Sequence, residues 1–313
     1  MAGLHLLGRR LLQMVPIIIG ITVVSFVLIR LVPGDPATLI LGNHYTPAGA
    51  AQIRHSLGLD QGIAVQYWRF VRGALTGSFG HSYSLDASVG HLIVSSLGST
   101  LFLIVMAGIF TAALSIPLGL YAGLHRGGVV DQGTRIFLLI GFALPGFLLG
   151  VLLILVFGVK IPILPINGYG SGFLSHVRHL ILPSITLAVP FSTVLVRSLR
   201  ASVIETINAD FVTTALLKGI PWRRVVLRHI LRNAGMSVVV VFGVNLAFLV
   251  GGTVVIENVF SVPGLGSLLV NAVSTRDYPV VQGLTLVFAL FVLLVNLLTD
   301  AVHIAIDPRL AAG

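Results

Sequence analysis

The sequence predicts an all-α polytopic membrane protein with six transmembrane helices and both termini in the cytoplasm. Three observations predict it. Of 313 residues, 56% are hydrophobic and 9% charged, too few charges to cover a soluble domain of this size. Six apolar stretches, 11–31, 99–122, 136–159, 181–200, 234–256 and 281–303, approach the roughly 20 residues that a helix needs to cross a bilayer. The basic residues are also unevenly spread among the connecting segments.

The first stretch follows Arg9 and Arg10. Its apolar run of about 20 residues exceeds a signal-peptide core. It ends at RLVPGDP without a small-x-small cleavage site, so residues 1–31 read as a retained helix that acts as its own insertion signal. The segment 32–98 follows as an extracytoplasmic loop or cap. Within it, YTPAGAAQIRHSLG predicts a short helix with Thr46 as N-cap, Pro47 in the first position and Gly58 as the stop. QYWRFVRGAL predicts a second, amphipathic helix with Tyr67 and Trp68 as interfacial anchors. Both readings of the cap stay open, a structural cover or a contact for partner or substrate.

Residues 99–303 hold the other five spans. Gly119-x-x-x-Gly123 and Gly146-x-x-x-Gly150 predict close helix approach. Pro117, Pro145 and Pro190 predict kinks. Residues 304–313 form a tail. With six spans, one face collects Arg9, Arg10, Arg126, Arg135, Lys218, Arg223, Arg224, Arg228, Arg232 and Arg309, with Arg197 and Arg200 at a helix end. The other face holds Arg54, Arg69 and Arg72 in its long loop, where charge weighs little, and otherwise Arg30, Lys160, Arg178 and Arg276. The positive-inside rule assigns the first set to the cytoplasm. The same rule accounts for the net charge of +9 without a nucleic-acid partner.

Several chemistries are excluded or disfavoured. The chain has no cysteine, hence no thiol catalysis, disulfide or thiolate metal site. No Gly-Lys dipeptide occurs, so a P-loop is absent, and H-E-x-x-H and G-x-S-x-G are absent too. His176 and His179 in SHVRH lack a neighbouring acid and read as ordinary polar loop residues. Asn245, Asn296 and Asp300 are polar residues in or near spans. Asp300 is expected to pair with Arg197 or Arg200. Asn245, Glu257 and Asn258 are candidates for a pathway or outer gate, Glu257 and Asn258 starting the segment after the fifth span and leading to a turn at Pro263–Gly264.

The most basic segment is FVTTALLKGIPWRRVVLRHILRN, 211–233, inside the largest cytoplasmic loop, 201–233. Residues 201–217 predict a helix ended by Gly219, and Pro221 suits the first turn of a second. There Trp222, Val225, Val226, His229 and Ile230 share one face, and Arg224, Arg228 and Arg232 form a basic stripe. Like charges four apart are mutually unfavourable, so the stripe calls for anionic headgroups or an acidic protein surface. The plainer alternative is a solvated helix that fixes topology.

This segment resembles the coupling loop of bacterial ABC importer permeases. Thr213, Thr214 and Ala215 stand in its E-A-A places and Gly219 in its glycine place. The dipeptide and oligopeptide permease branch is the better match, through Thr214, Ala215, Lys218, Gly219, Val225, Arg228, His229, Arg232 and Asn233. Thr213, Leu216 and Leu217 depart from it. RLVPGDPA (30–37), LGLDQGIAVQYWRFVRGALTGSFGHS (57–82, with Ser78 in place of the usual Asp), VVIENVFSVPGLGSLLVNAVSTRDYPVVQG (254–283) and VNLLTDAVHIAIDPRL (295–310) resemble other stretches of that branch.

The resemblance implies a type I importer permease that forms half of a pathway for di- or oligopeptides, in a bacterial inner membrane, and is not itself an enzyme. It implies a second homologous permease subunit, two cytoplasmic ATPase subunits or domains that hold ATP and Mg, an extracytoplasmic substrate-binding protein, and surrounding membrane lipid. No cofactor is expected on this chain. Thr213, Thr214, Ala215, Lys218, Gly219, Pro221 and Trp222 are the expected ATPase-coupling residues, with Ala215 giving close approach and Trp222 an anchor. Nickel import within the same branch is the alternative. An intramembrane enzyme would need a catalytic dyad or triad at membrane depth, and a lone ion-driven carrier more buried acids.

Overall fold

The computed structural model describes residues 2–31, 46–56 and 58–306. Most of RLVPGDPA and the tail beyond residue 306 lie outside the described residues. Within them the regular structure is helical, apart from one isolated bridge between His81 and Ser88. The helices are α1 (Ala2–Leu31), α2 (Pro47–Ser56), α3 (Ile63–Thr76), α4 (Val89–Leu124), α5 (Val129–Ala143), α6 (Gly146–Ile154), α7 (Phe173–Ile207), α8 (Asp210–Leu217), α9 (Trp222–Val225), α10 (Leu231–Val259), α11 (Leu265–Ser274) and α12 (Tyr278–Ile306). Two π-helical stretches continue existing helices, Leu155–Lys160 after α6 and Val226–Ile230 between α9 and α10.

Among the described residues, four helical segments are long and apolar enough to cross a membrane: Val89–Leu124, Phe173–Ile207, Val241–Val259 and Tyr278–Val302. A fifth arises if α5 and the α6 arm are one broken span. The expected first span lies within α1, where the described stretch Leu12–Val27 is apolar. The expected third span, 136–159, is not one helix but two, bent by 103°. Proline explains the break. Pro145 has no N–H to donate, and its ring drives Leu144 out of the helical region, to φ −80° and ψ 121°. Pro117 and Pro190, expected to act similarly, lie inside the continuous helices α4 and α7.

The described residues divide into two compact units. One takes those of Met1–Leu7, Ser99–Pro263 and Leu294–Gly313, the other those of Gly8–Gly98 and Gly264–Leu293. In the first, α7 lies so close to α4 that a Cβ on Gly119 would stand 2.9 Å from Leu199 Cβ, and one on Gly123 2.6 Å from Val203 Cγ1. The first small-x-x-x-small pair is therefore a packing seam. Of the second pair only Gly150 is close-packed, against Phe260 and Thr186, while Gly146 faces open space.

In the second unit, Val89, Ile93, Leu265, Ala272, Val280 and Leu284 form an apolar core. Thr46 caps α2 as expected, its Oγ1 accepting the Gly49 N–H at 3.1 Å, and Gly58 follows with φ +67°. The two aromatics of α3 part company. Tyr67 turns inward, sharing a 2.9 Å hydrogen bond with Thr22 and meeting Phe26 edge-on at 5.4 Å. Trp68 points outward and is 64% exposed.

Candidate functional site

The segment 201–233 is built differently from the two-helix reading. Residues 201–207 are the last turns of α7, and the chain leaves the helix at Asn208–Ala209, with Ala209 extended at φ −78° and ψ 143°. A new short helix, α8, starts at Asp210, whose carboxylate suits a helix start. Its end is a Schellman turn: the Gly219 N–H donates to Leu216 O at 2.9 Å and the Ile220 N–H to Ala215 O at 3.2 Å. Gly219 adopts φ +74°, the left-handed conformation that only glycine takes freely. Pro221 then precedes α9, and its carbonyl accepts the Arg224 and Val225 N–H groups.

The apolar side of this hairpin packs inward. Val212, Ala215, Val225, Val226, Ile230 and Ala234 join Leu199 and Val203 of α7 in one core, with Leu120 and Leu124 of α4, Ile207, Ile220 and Val238 against it. Ala215 is thus small for the chain's own packing, not as a place of approach for a partner. Of the predicted α9 face, Val225, Val226 and Ile230 are buried and His229 half-buried, but Trp222 is 47% exposed. Outward lie Thr213, Thr214, Lys218, Gly219, Pro221 and Trp222. With them are three apolar side chains to which the sequence assigns no role: Phe211, Leu216 and Leu217, the last 85% exposed. Their signal was apolar residues left over on a helix whose inward face Val212 and Ala215 already fill.

Arg224, Arg228 and Arg232 are exposed along the α9–α10 helix. Among the described residues no carboxylate pairs with them. Arg223, Arg224 and Arg228 border a shallow depression with Pro221 and Leu227.

Beside this hairpin sits a carboxylate that the sequence reading passed over. Asp131, in the first turn of α5, is fully buried. Arg200 of α7 donates Nε to its Oδ1 at 2.6 Å and Nη2 to its Oδ2 at 2.9 Å. The Gly127 N–H and Arg135 Nη2 donate to the same Oδ2 at 3.0 and 3.3 Å. Arg200, one of the two bases expected to pair with Asp300, is thus committed to Asp131. Only ten acidic residues occur in the chain, so each acid next to an apolar run was worth tracing to a base.

The pathway candidates do not converge. Asn245 and Asn258 turn their amides back onto their own helix, donating to Val241 O and Val254 O, both at 2.7 Å. Glu257 and Asn258 belong to the last turn of α10 rather than to the segment after it. Glu257 is fully buried and accepts Thr100 Oγ1 at 2.7 Å.

His176 and His179 are engaged locally, His176 Nδ1 with Tyr169 O and His179 Nδ1 with Ser175 O, both at 2.8 Å. In the second unit, Asp277 Oδ2 accepts the Ser82 hydroxyl at 2.5 Å, the Ser84 N–H at 3.1 Å and the Ser84 hydroxyl at 2.8 Å. Burial, with the Asp277 charge nearby, pushes the Tyr83 hydroxyl between these serines up to about 12.

Comparison with known proteins finds relatives along nearly the whole chain. Residues 115–312 match the family described as binding-protein-dependent transport system inner membrane component, and residues 3–104 match its N-terminal counterpart. The chain is 36% identical over 311 residues, 98% of its length and 99% of the other's, to a Sinorhizobium fredii protein named "Probable peptide ABC transporter permease protein y4tP". It is 38% identical over 302 residues, 96% of its length and 97% of the other's, to the glutathione transport system permease protein GsiC of Salmonella paratyphi A. A chain of the inward-facing MetNI methionine ABC transporter shares the fold, with TM-score 0.54 at 19% identity over 69% of this chain and 96% of that one. Its sequence thus places the chain in the binding-protein-dependent transport family, as an inner-membrane permease component of an ABC transport system.

Proposed function

We propose that this chain is the permease half of a peptide importer and that its 208–233 hairpin seats on a cytoplasmic ATPase subunit. The observation that carries this reading is the hairpin's two-sidedness. Its inner face is fixed into a core with α4 and α7, and its outer face presents Phe211, Leu216, Leu217 and Trp222 to solvent around the Gly219 turn. A rigid base with an exposed apolar tip suits a surface that receives force from a partner. ATP and Mg belong to that partner.

The reading includes six spans with α1 as the first, cytoplasmic termini, and 32–98 outside. A second homologous permease, two ATPase subunits or domains and an extracytoplasmic binding protein complete the assembly. Outward-facing Trp68, rather than Tyr67, is then the α3 aromatic free to meet the binding protein or lipid headgroups. Peptide cargo is favoured over nickel because the two relatives described above are named for a peptide and for glutathione.

The chain has no native cysteine, so single probes are clean. Leu217→Cys should cross-link to an ATPase subunit in the purified complex and resist an impermeant thiol reagent in intact cells, whereas Leu75→Cys should react with that reagent. Labelling in the reverse pattern, or no cross-link at Leu217, would sink the proposal.

A further inference from the structure

We infer that the Asp131–Arg200 pair is a positioning link that carries displacement of the α8–α9 hairpin to α5 and, past the bend at Pro145, to α6. This rests on the coupling role proposed above for the hairpin.

Leu199 and Val203 flank Arg200, and both are part of the core beneath the hairpin. The seam of Gly119 on Leu199 and Gly123 on Val203 leaves no room for α7 to slide along α4. A push on the hairpin therefore moves this end of α7 as a block. Contacts near both ends of α5 strap it to α7. Near its end, Gly141 sits where a Cβ would stand 2.6 Å from Thr193 Cγ2. At its start, Asp131 is held by the Arg200 fork.

The two straps differ in kind. An apolar contact holds the two helices close but sets no angle between the groups that touch. A two-point guanidinium–carboxylate pair fixes both distance and angle. The Gly127 N–H adds a third direction and ties the α4–α5 turn to the same oxygen. Beyond Pro145, α6 leaves at 103°, so a small rotation of α5 becomes a lateral displacement of α6. Asp131 and Arg200 touch neither the outward face of the hairpin nor the depression beside it, and their role is to hold α5 in register with α7.

The test uses the whole complex of both permeases and both ATPase subunits in lipid nanodiscs, with Val151→Cys on α6 as the reporter. Its maleimide labelling rate is measured without nucleotide and after trapping with ATP and orthovanadate. The rate should change on trapping in the parent. In Asp131→Asn and in Arg200→Gln that change should shrink by about fivefold or more, with the complex still assembled. The double variant Asp131→Glu/Arg200→Lys, which restores an ion pair of similar reach, should recover part of it.

A parent rate unaltered by trapping would overturn the inference, because nothing then reaches α6. So would an undiminished change in both single variants. A change that falls only in proportion to lost assembled complex, with no recovery in the double variant, would make the pair purely structural and overturn it as well. Failure of the hairpin reading itself would appear separately, as absence of the Leu217→Cys cross-link with Asp131 and Arg200 intact.

Discussion

Asp131 and Asp277 are both withdrawn from solvent, and the chain satisfies both oxygens of the first but only Oδ2 of the second, whose buried Oδ1 has no hydrogen-bond partner. Asp131 faces a full positive charge, held at two points, with a backbone N–H and a second arginine behind it. Asp277 is held by neutral donors alone: two serine hydroxyls and one N–H, all on Oδ2. The first arrangement joins elements far apart in sequence through charge, and removing one member strands the other. The second ties Ser82 and Ser84 to Asp277, residues still farther apart in sequence, through short neutral hydrogen bonds, where each donor lost costs a modest amount. The chain thus uses an ion pair beside the basic hairpin and a hydroxyl clamp in the other unit.

The largest expected effect follows from that difference. Asp131→Ala leaves Arg200 mostly buried without its counter-ion, and breaking such a pair costs on the order of 3 kcal/mol. The fraction of chain recovered in assembled complex should fall sharply, with a lower midpoint of thermal aggregation. Asp131→Asn should be milder, since its amide oxygen can still accept from Gly127 and Arg200, and Arg200 keeps 20% of its side chain exposed. Equal losses for both variants would mean that the charge alone, and not the hydrogen bonds the amide oxygen can still accept, holds the pair.

Asp277→Ala is the matching change in the other unit. It removes three accepted bonds and leaves the donors of Ser82 and Ser84 to find water, a cost of about 2 kcal/mol. Ser84→Ala should cost about 1 kcal/mol, because Ser82 and the Ser84 N–H remain. Measured by the same thermal aggregation assay, a loss at Asp277 greater than at Asp131 would reverse the comparison.

These two sites also mark where sequence reading reached and where it stopped. Four of the apolar runs located helices long enough to span a membrane, because apolar surroundings leave a compositional trace along the chain. Gly219 was legible because a left-handed turn has a chemical signature in one residue. Pro145 was read as a kink, but the 103° bend depends on what α5 and α6 pack against, which no local pattern holds. The exit at Asn208–Ala209 was missed because nothing between 201 and 217 breaks a helix by propensity. The Arg200–Asp131 pair is not legible because its members lie 69 residues apart, and sequence offers no rule for pairing across helices. Ala215 was placed on the outer face by motif, whereas helical phase together with Val212 places it inside.

Gly219→Val tests the outward face of the hairpin against its base. No heavy atom lies within 4 Å of a Cβ there, so the cost arises from φ alone, about 1–2 kcal/mol, and more for a β-branched residue than for Ala. The expected result is a complex that assembles but loses most substrate-stimulated ATP hydrolysis, with Gly219→Asn retaining more than Gly219→Val. Full stimulation in Gly219→Val would show that the turn need not be held and that the coupling contact lies elsewhere on the hairpin.

Arg224→Ala should be the smallest change. The side chain is exposed and borders the shallow depression with Arg223 and Arg228, so neighbouring charges remain when it is removed. Nothing in the core is disturbed, because the α9 residues that pack inward are Val225 and Val226. One basic group near an anionic surface contributes about 1 kcal/mol, and relief of like-charge repulsion with Arg228 offsets a few tenths of that. Assembly should be unchanged and transport lowered only a few-fold, with the loss fading as ionic strength rises. If Arg224→Ala abolished transport while Gly219→Val left it intact, the basic stripe rather than the glycine turn would be the contact that transmits force. The hairpin would then depend on charge, as Asp131 does, and not on shape.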